Sequence, residues 1–147
     1  MYVAMVLALM LVLPIASIVL DDAPLSAVLV GTWFVFWAVG IRLLLAGIRQ
    51  IVQPRYTAKT ILGIESDDSL VLVRELGFAN VAIGCIGAAS LVVDGWWKPA
   101  AIAGAIFYGL AGINHTRHPG RNRLQNIAMV SDLFIAVVLS VALLASL

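Results

Sequence analysis

The sequence predicts an all-α fold: a polytopic membrane protein built as a bundle of five transmembrane helices, N-terminus inside and C-terminus outside. Three observations predict it. Of 147 residues, 63% are hydrophobic and 12% charged, where a soluble domain has about 45–50% apolar and about 25% charged residues; mean hydropathy is +1.06. The apolar residues fall in long uninterrupted blocks, and a span needs about 20 of them. The basic residues gather in alternate connections, the pattern of the positive-inside rule.

Five blocks qualify as spans, at about 2–20, 25–48, 69–93, 100–115 and 124–147. The first has no Lys or Arg ahead of its apolar run and no small-residue cleavage site, so it reads as a retained helix and not a signal peptide. It holds Pro14, tolerated in a span because neighbouring groups cover the freed carbonyl. Asp21-Asp-Ala-Pro24 makes a short turn. The second block carries Trp33 and Trp37, of which Trp33 suits the interfacial belt.

Arg49 to Ser66 is the longest connection, with Pro54, Arg55, Tyr56 and Lys59. Two readings stand for its middle: an ordinary polar loop, or a short interfacial helix with Tyr56, Ile61 and Leu62 against lipid. Asp67, Asp68 and Ser69 then offer an N-cap and negative charge at the start of the third span. Asp94-Gly-Trp-Trp-Lys-Pro99 is a tight turn with two interfacial aromatics and a proline suited to a first helical turn. The fourth span is short and rich in small residues. The turn 116–123 is basic, and places His118 in solvent. One domain, 1–147, is expected.

Orientation follows from the charges. Arg49, Arg55 and Lys59 occupy one connection, and Arg117, Arg121 and Arg123 another, while the two remaining connections hold Lys98 with Asp21, Asp22 and Asp94. The implied localisation is the cytoplasmic membrane, crossed several times.

The third span is the unusual one. It carries Arg74, Glu75 and Asn80, and a bilayer core has no water to satisfy such groups. Counting along the helices at about 1.5 Å per residue, Arg42, Glu75 and Asp132 all lie about 9–10 Å from the inner boundary, and Asn80 about 16 Å. Asn114 and His115 end the fourth span on the same side. Four spans thus bring polar groups to one inner-half layer.

Two readings compete there. In one, Glu75 and Asp132 pair with Arg42 and Arg74 as a clamp that sets helix register, or the arginines snorkel to headgroups. In the other, Glu75, Asn80, His115, Asp132, Arg42 and Arg74 form a site for a small ligand, a lipid headgroup or a proton. His115 is a helix-end residue in the first reading; in the second it is a ligand-binding group, base or pH switch.

Gly77, Gly84 and Gly87 on the third span, and Gly104 and Gly112 with Tyr108 on the fourth, form smooth stripes for helix packing. Cys85 is the only cysteine, so an intrachain disulfide is excluded, and it reads as a small packing residue. There is no Cys-x-x-Cys, no phosphate-cradling glycine loop, no G-x-S-x-G and no H-E-x-x-H. No metal site and no catalytic set is therefore expected, and the sequence names no cofactor. A net charge of +1 argues against nucleic acid as a partner.

Arg74-Glu75-x-Gly77-x-x-Asn80, followed by a helix ending in His115 and a last helix with Asp132, resembles a family of small bacterial membrane proteins of no known function. The resemblance covers about Asp68 to Leu147. In size and helix pattern the chain is also loosely similar to DoxX-like four-helix membrane proteins, some of which are linked to quinone or sulfur redox chemistry. It departs from them in having five apparent spans and no residue-level DoxX motif. The expectation is a non-enzymatic membrane subunit with an inner-half polar site, its partners being the lipid bilayer and either further copies of itself or another membrane protein. The alternatives are a small oligomeric transporter or channel, and a quinone-linked redox subunit.

Overall fold

The computed structural model describes residues 2–117 and 119–147. Its long helices are α1 (2–20), α2 (Ala27–Val52), α4 (Ser69–Ala89), α5 (Trp97–Thr116) and α6 (Arg123–Leu144), with a single helical turn, α3 (Tyr56–Ile61), between α2 and α4. Four of these, α1, α2, α4 and α6, are long and apolar enough to cross a membrane. The helix α5 has 20 residues, but Lys98, Pro99, Asn114 and His115 dilute its apolar character.

Local chemistry explains the boundaries. The Ser26 side chain accepts a hydrogen bond from the Leu29 amide and starts α2. That helix runs past the expected end at Ile48, because nothing stops it until Gln53, which is non-helical (φ −130°, ψ 58°) ahead of Pro54. Arg49 and Gln50 therefore belong to the helix and not to a loop. At α4, Asp68 occupies the cap position without a side-chain cap; its carboxylate accepts instead from the Ser66 hydroxyl at 3.3 Å. At α6, Asn122 and Gln125 form a reciprocal capping box.

Three stretches are of the wider, π type: α3 itself and one segment in each of α1 and α2. In α1 the segment spans Ala8–Val12, where the Leu13 amide bonds to the carbonyl of Ala8. Pro14 follows directly and would crowd a carbonyl in a regular α turn; widening the helix there relieves the clash without a break. In α2 the stretch spans Val35–Ile41, and the Arg42 amide bonds back to Trp37.

The helices pair antiparallel, α2 on α4 and α5 on α6. At the first seam the backbones touch. A Cβ added to Gly47 would lie 2.6 Å from the Gly77 carbonyl oxygen, and one added to Gly87 would lie 2.6 Å from the Gly40 nitrogen. Gly84 sits as tightly on Leu44, at 2.7 Å from its nitrogen. The α4 glycine stripe thus meets a second stripe on α2, Gly40 and Gly47. On α5, Gly104 receives Val39 and Leu139, and Gly112 receives Leu133. Val35, Ala38, Val39, Leu43, Tyr108, Ile135 and Leu139 fill the core.

Two tryptophans tie α1 to α2: the Trp37 indole donates to Ser17 at 2.9 Å and the Trp33 indole to Asp21 at 2.8 Å. The Ala23 amide, and next the Trp33 indole, hold the Asp21 carboxyl below its ordinary range. One end of the bundle collects Asp21, Asp94, Trp96 and Trp97. The opposite, basic end collects α3 and the turn before α6.

Candidate functional site: a chamber at the basic end

α2 places Arg42 one residue beyond its π stretch, aimed across the core. Its guanidinium donates to Tyr108 Oη at 3.2 Å and to Asp132 Oδ1 at 3.4 Å. Arg42 is 8% exposed and Asp132 5%, so this is a buried ion pair joining α2 to α6. Tyr108, on α5, is fully buried; its hydroxyl donates to the Ala38 carbonyl in the π stretch of α2, and Arg42 lies over its ring at 5.2 Å. A π stretch shifts backbone partners by one residue and leaves carbonyl capacity for a side chain. Three helices are locked by this network.

A second buried polar pair lies one layer nearer the basic end. Asn80 Nδ2 donates to Gln50 Oε1 at 2.8 Å, joining α4 to α2. Asn80 is 2% exposed, and its Oδ1 has no hydrogen-bond partner among the described residues. A buried acceptor left in that state seeks a donor.

Both pairs border one chamber of about 190 Å³, lined also by Arg49, Tyr56, Thr57 and His115. Its charged lining is two guanidinium groups, Arg42 and Arg49, and one carboxylate, Asp132. Arg49 stacks on the Tyr56 ring at 3.6 Å, which holds both at the chamber wall.

The turn α3 walls the chamber on one side through Tyr56, Thr57 and Ile61. Thr57, Ala58 and Ile61 are buried against the bundle, so Ile61 faces protein and not the lipid expected for it. Its end is fastened from α6: Asn122 donates to the Ile61 carbonyl at 3.3 Å and Gln125 to the Leu62 carbonyl at 3.0 Å. These are the carbonyls a helix end leaves open. Outside, Lys59 and Arg55 grip Asp67 at 3.3 and 3.2 Å. The hydrogen bond and charge of Lys59, with Arg55, hold the Asp67 carboxyl below its ordinary range.

The polar layer read from the sequence is therefore divided. Arg42, Asn80, His115 and Asp132 share the chamber. Arg74 and Glu75 lie on the outward face of α4, exposed, and the expected four-charge clamp contains only Arg42 and Asp132. Asn114 is exposed as well, and His118 lies outside the described residues. Sequence reasoning missed Gln50, Arg49 and Tyr56. The signal for Gln50 was present: it stands three residues past Gly47, as Asn80 stands three past Gly77, on the facing helix.

Four helices long and apolar enough to cross a membrane, packed around a partly open pocket, define a class: a small helical bundle. The chain belongs to a family of unknown function: the family model described as "Family of unknown function (DUF6790)" matches residues 1–146. That match takes in α1 and α2, which the resemblance over 68–147 did not reach. No curated protein and no solved structure matches the chain.

Proposed function

We propose that this chain is an integral protein of the cell membrane, crossing it five times with the N-terminus in the cytoplasm, and that its chamber binds a small anionic group. The observation that carries this reading is the lining: two guanidinium groups against one carboxylate, with Asn80 Oδ1 buried and open to a donor. A phosphate or carboxylate group bearing a hydroxyl or amine matches that set, the anion on Arg49 and Arg42 and the donor on Asn80. Such a group comes either as a lipid headgroup or as a free anion in the cytoplasm.

Support for the fifth crossing comes from α5 itself. Its 20 residues span about 30 Å, and Tyr108 and Gly112 are turned into the bundle. Support for the orientation comes from the positive-inside rule, since the basic end carries Arg55, Lys59, Arg117, Arg121 and Arg123. The binding role is that of a membrane subunit, with the chemistry, if a partner supplies any, done elsewhere.

Thermal unfolding of the detergent-extracted protein tests the site. Inorganic phosphate or phosphatidylglycerol is expected to raise Tm, by RT ln(1 + [L]/Kd) in free-energy terms, and phosphatidylcholine is not. Arg49→Gln is expected to remove the effect while leaving the Tm of the unliganded protein in place. Equal shifts with every lipid and no shift with phosphate would sink the reading.

A further inference from the structure

Arg74 and Glu75 stand in the first third of a membrane-length helix, on the face turned away from the bundle. Neither has an ion-pair or hydrogen-bond partner among the described residues. Sequence neighbours sit about 100° apart around a helix and cannot pair with each other. Charges facing hydrocarbon are costly, and where they persist they pair or face a lumen.

The surface between them is a seam. Val71, Phe78 and Cys85 recur at every seventh position and are all exposed, with Arg74 on one side of that line and Glu75 on the other. Ala82, also exposed, and the half-buried Ala89 run beside it, small enough to let another helix approach. The glycines of α4 are not available for this purpose, because they are buried against Gly40 and Gly47 of α2.

We propose that this face of α4 is the interface of a parallel two-fold dimer of the chain, sealed by reciprocal Arg74–Glu75 pairs. The geometry is self-complementary. Across a two-fold axis parallel to the helix, a side chain to the left of the seam meets one to the right of the partner's seam at the same height. Arg74 then meets the partner's Glu75, and Glu75 meets the partner's Arg74. A seven-residue seam flanked by opposite charges is the pattern of parallel helix pairs. The dimer rests on the membrane-spanning reading, since in water the two charges would need no partner.

Cys85 lies on the seam and is the single cysteine of the chain, so the unaltered protein carries its own reporter. Mild oxidation with copper phenanthroline in native membranes is expected to convert most of the chain to a disulfide-linked dimer. Cysteine moved to the exposed Val141 of α6, as Cys85→Ser/Val141→Cys, is expected to give no dimer. Arg74→Glu and Glu75→Arg should each lower Cys85 cross-linking at least ten-fold, and the two variants co-expressed should cross-link to each other.

Absence of the Cys85 dimer, equal cross-linking at Val141, indifference to charge reversal, or a product with the mass of a different chain would each overturn the proposal. Alkaline carbonate extraction of the same membranes separates the two failures. A chain released by carbonate refutes the membrane reading, whereas a retained chain without the Cys85 dimer refutes the dimer alone.

Discussion

Arg42 and Asp132, 90 residues apart in the chain, form an ion pair at 3.4 Å whose side chains are 10% and 7% exposed. The pair ties the second long helix to the last one, and Tyr108 adds the helix between. A buried pair of this kind is not by itself a source of stability, because desolvation offsets the attraction. Its position at the chamber wall gives it a second role in the proposed function, to hold a guanidinium at the pocket.

The two roles separate under mutation. Asp132→Ala leaves Arg42 buried with its charge uncompensated, and is expected to destabilise the protein by about 3–5 kcal/mol. The double variant Arg42→Met/Asp132→Leu is expected to recover most of that loss, but not ligand binding. Unfolding in graded denaturing detergent reads the first, and phosphate-dependent Tm the second. A loss below about 1 kcal/mol for Asp132→Ala would show that the pair is solvated and not buried.

The glycine seam makes a sharper steric demand. Gly87→Val puts side-chain carbons into the backbone of Gly40 and Val39. Overpacking of this kind costs about 1–3 kcal/mol, occasionally more, and a rigid backbone neighbour places this site at the upper end. Gly109 is the internal control, since a Cβ there meets only the Ala136 methyl carbon at 3.7 Å. Gly109→Ala is expected to stay within about 0.5 kcal/mol of the parent. Thermal unfolding of the two variants side by side checks the contrast, and equal losses would refute the close approach of α2 and α4.

Much of the fold is legible in the sequence, for physical reasons. Blocks of apolar residues announce membrane-length helices whatever their packing. Gly77, Gly84 and Gly87 announce a close approach because nothing else explains three small residues on one face. Their partner was less visible: Gly40 and Gly47 share the same seven-residue spacing, but on a helix that also carries the charges of Arg42 and Arg49. Ending α2 at Ile48 hid Gln50, and with it the mate of Asn80. Depth along a helix is legible from counting, whereas direction around it depends on which neighbour the helix finds. Glu75 and Asn80 are five residues apart and point to opposite sides for that reason. The π stretches leave no mark at a period of 3.6, so the Ala38 carbonyl that receives Tyr108 could not be foreseen.

The seating of α3 should respond to acid. Asp67 is held below its ordinary range by Lys59 and Arg55, so its grip on the 53–66 segment is complete above the unfolded carboxyl value of 3.8 and is lost as pH falls through the lower folded value. Asp67→Asn at neutral pH mimics the acid state. Faster amide exchange over 56–62 is expected in the variant at pH 7, and in the parent only in strong acid. The Tm of the whole bundle is expected to stay unchanged, because the pair is exposed and screened. Unaltered exchange over 56–62 would mean that Asn122 and Gln125 alone hold α3.

The proposed five crossings would put Asp22 and Arg117 on opposite sides of the membrane. In a Cys85→Ser background, Asp22→Cys is expected to react with an impermeant thiol reagent from outside intact cells, and Arg117→Cys only after the cells are opened. Reaction of both from the same side would remove α5 from the set of spans and reverse the C-terminus.

The most direct measurement is native mass spectrometry of the protein gently extracted from its own membrane, for the parent and for Arg49→Gln. The expected result is a retained anionic mass on the parent, a phosphate-bearing lipid or a small free anion, that is absent from Arg49→Gln. A parent that carries no such mass, or a variant that carries the same one, would contradict the chamber as the binding site.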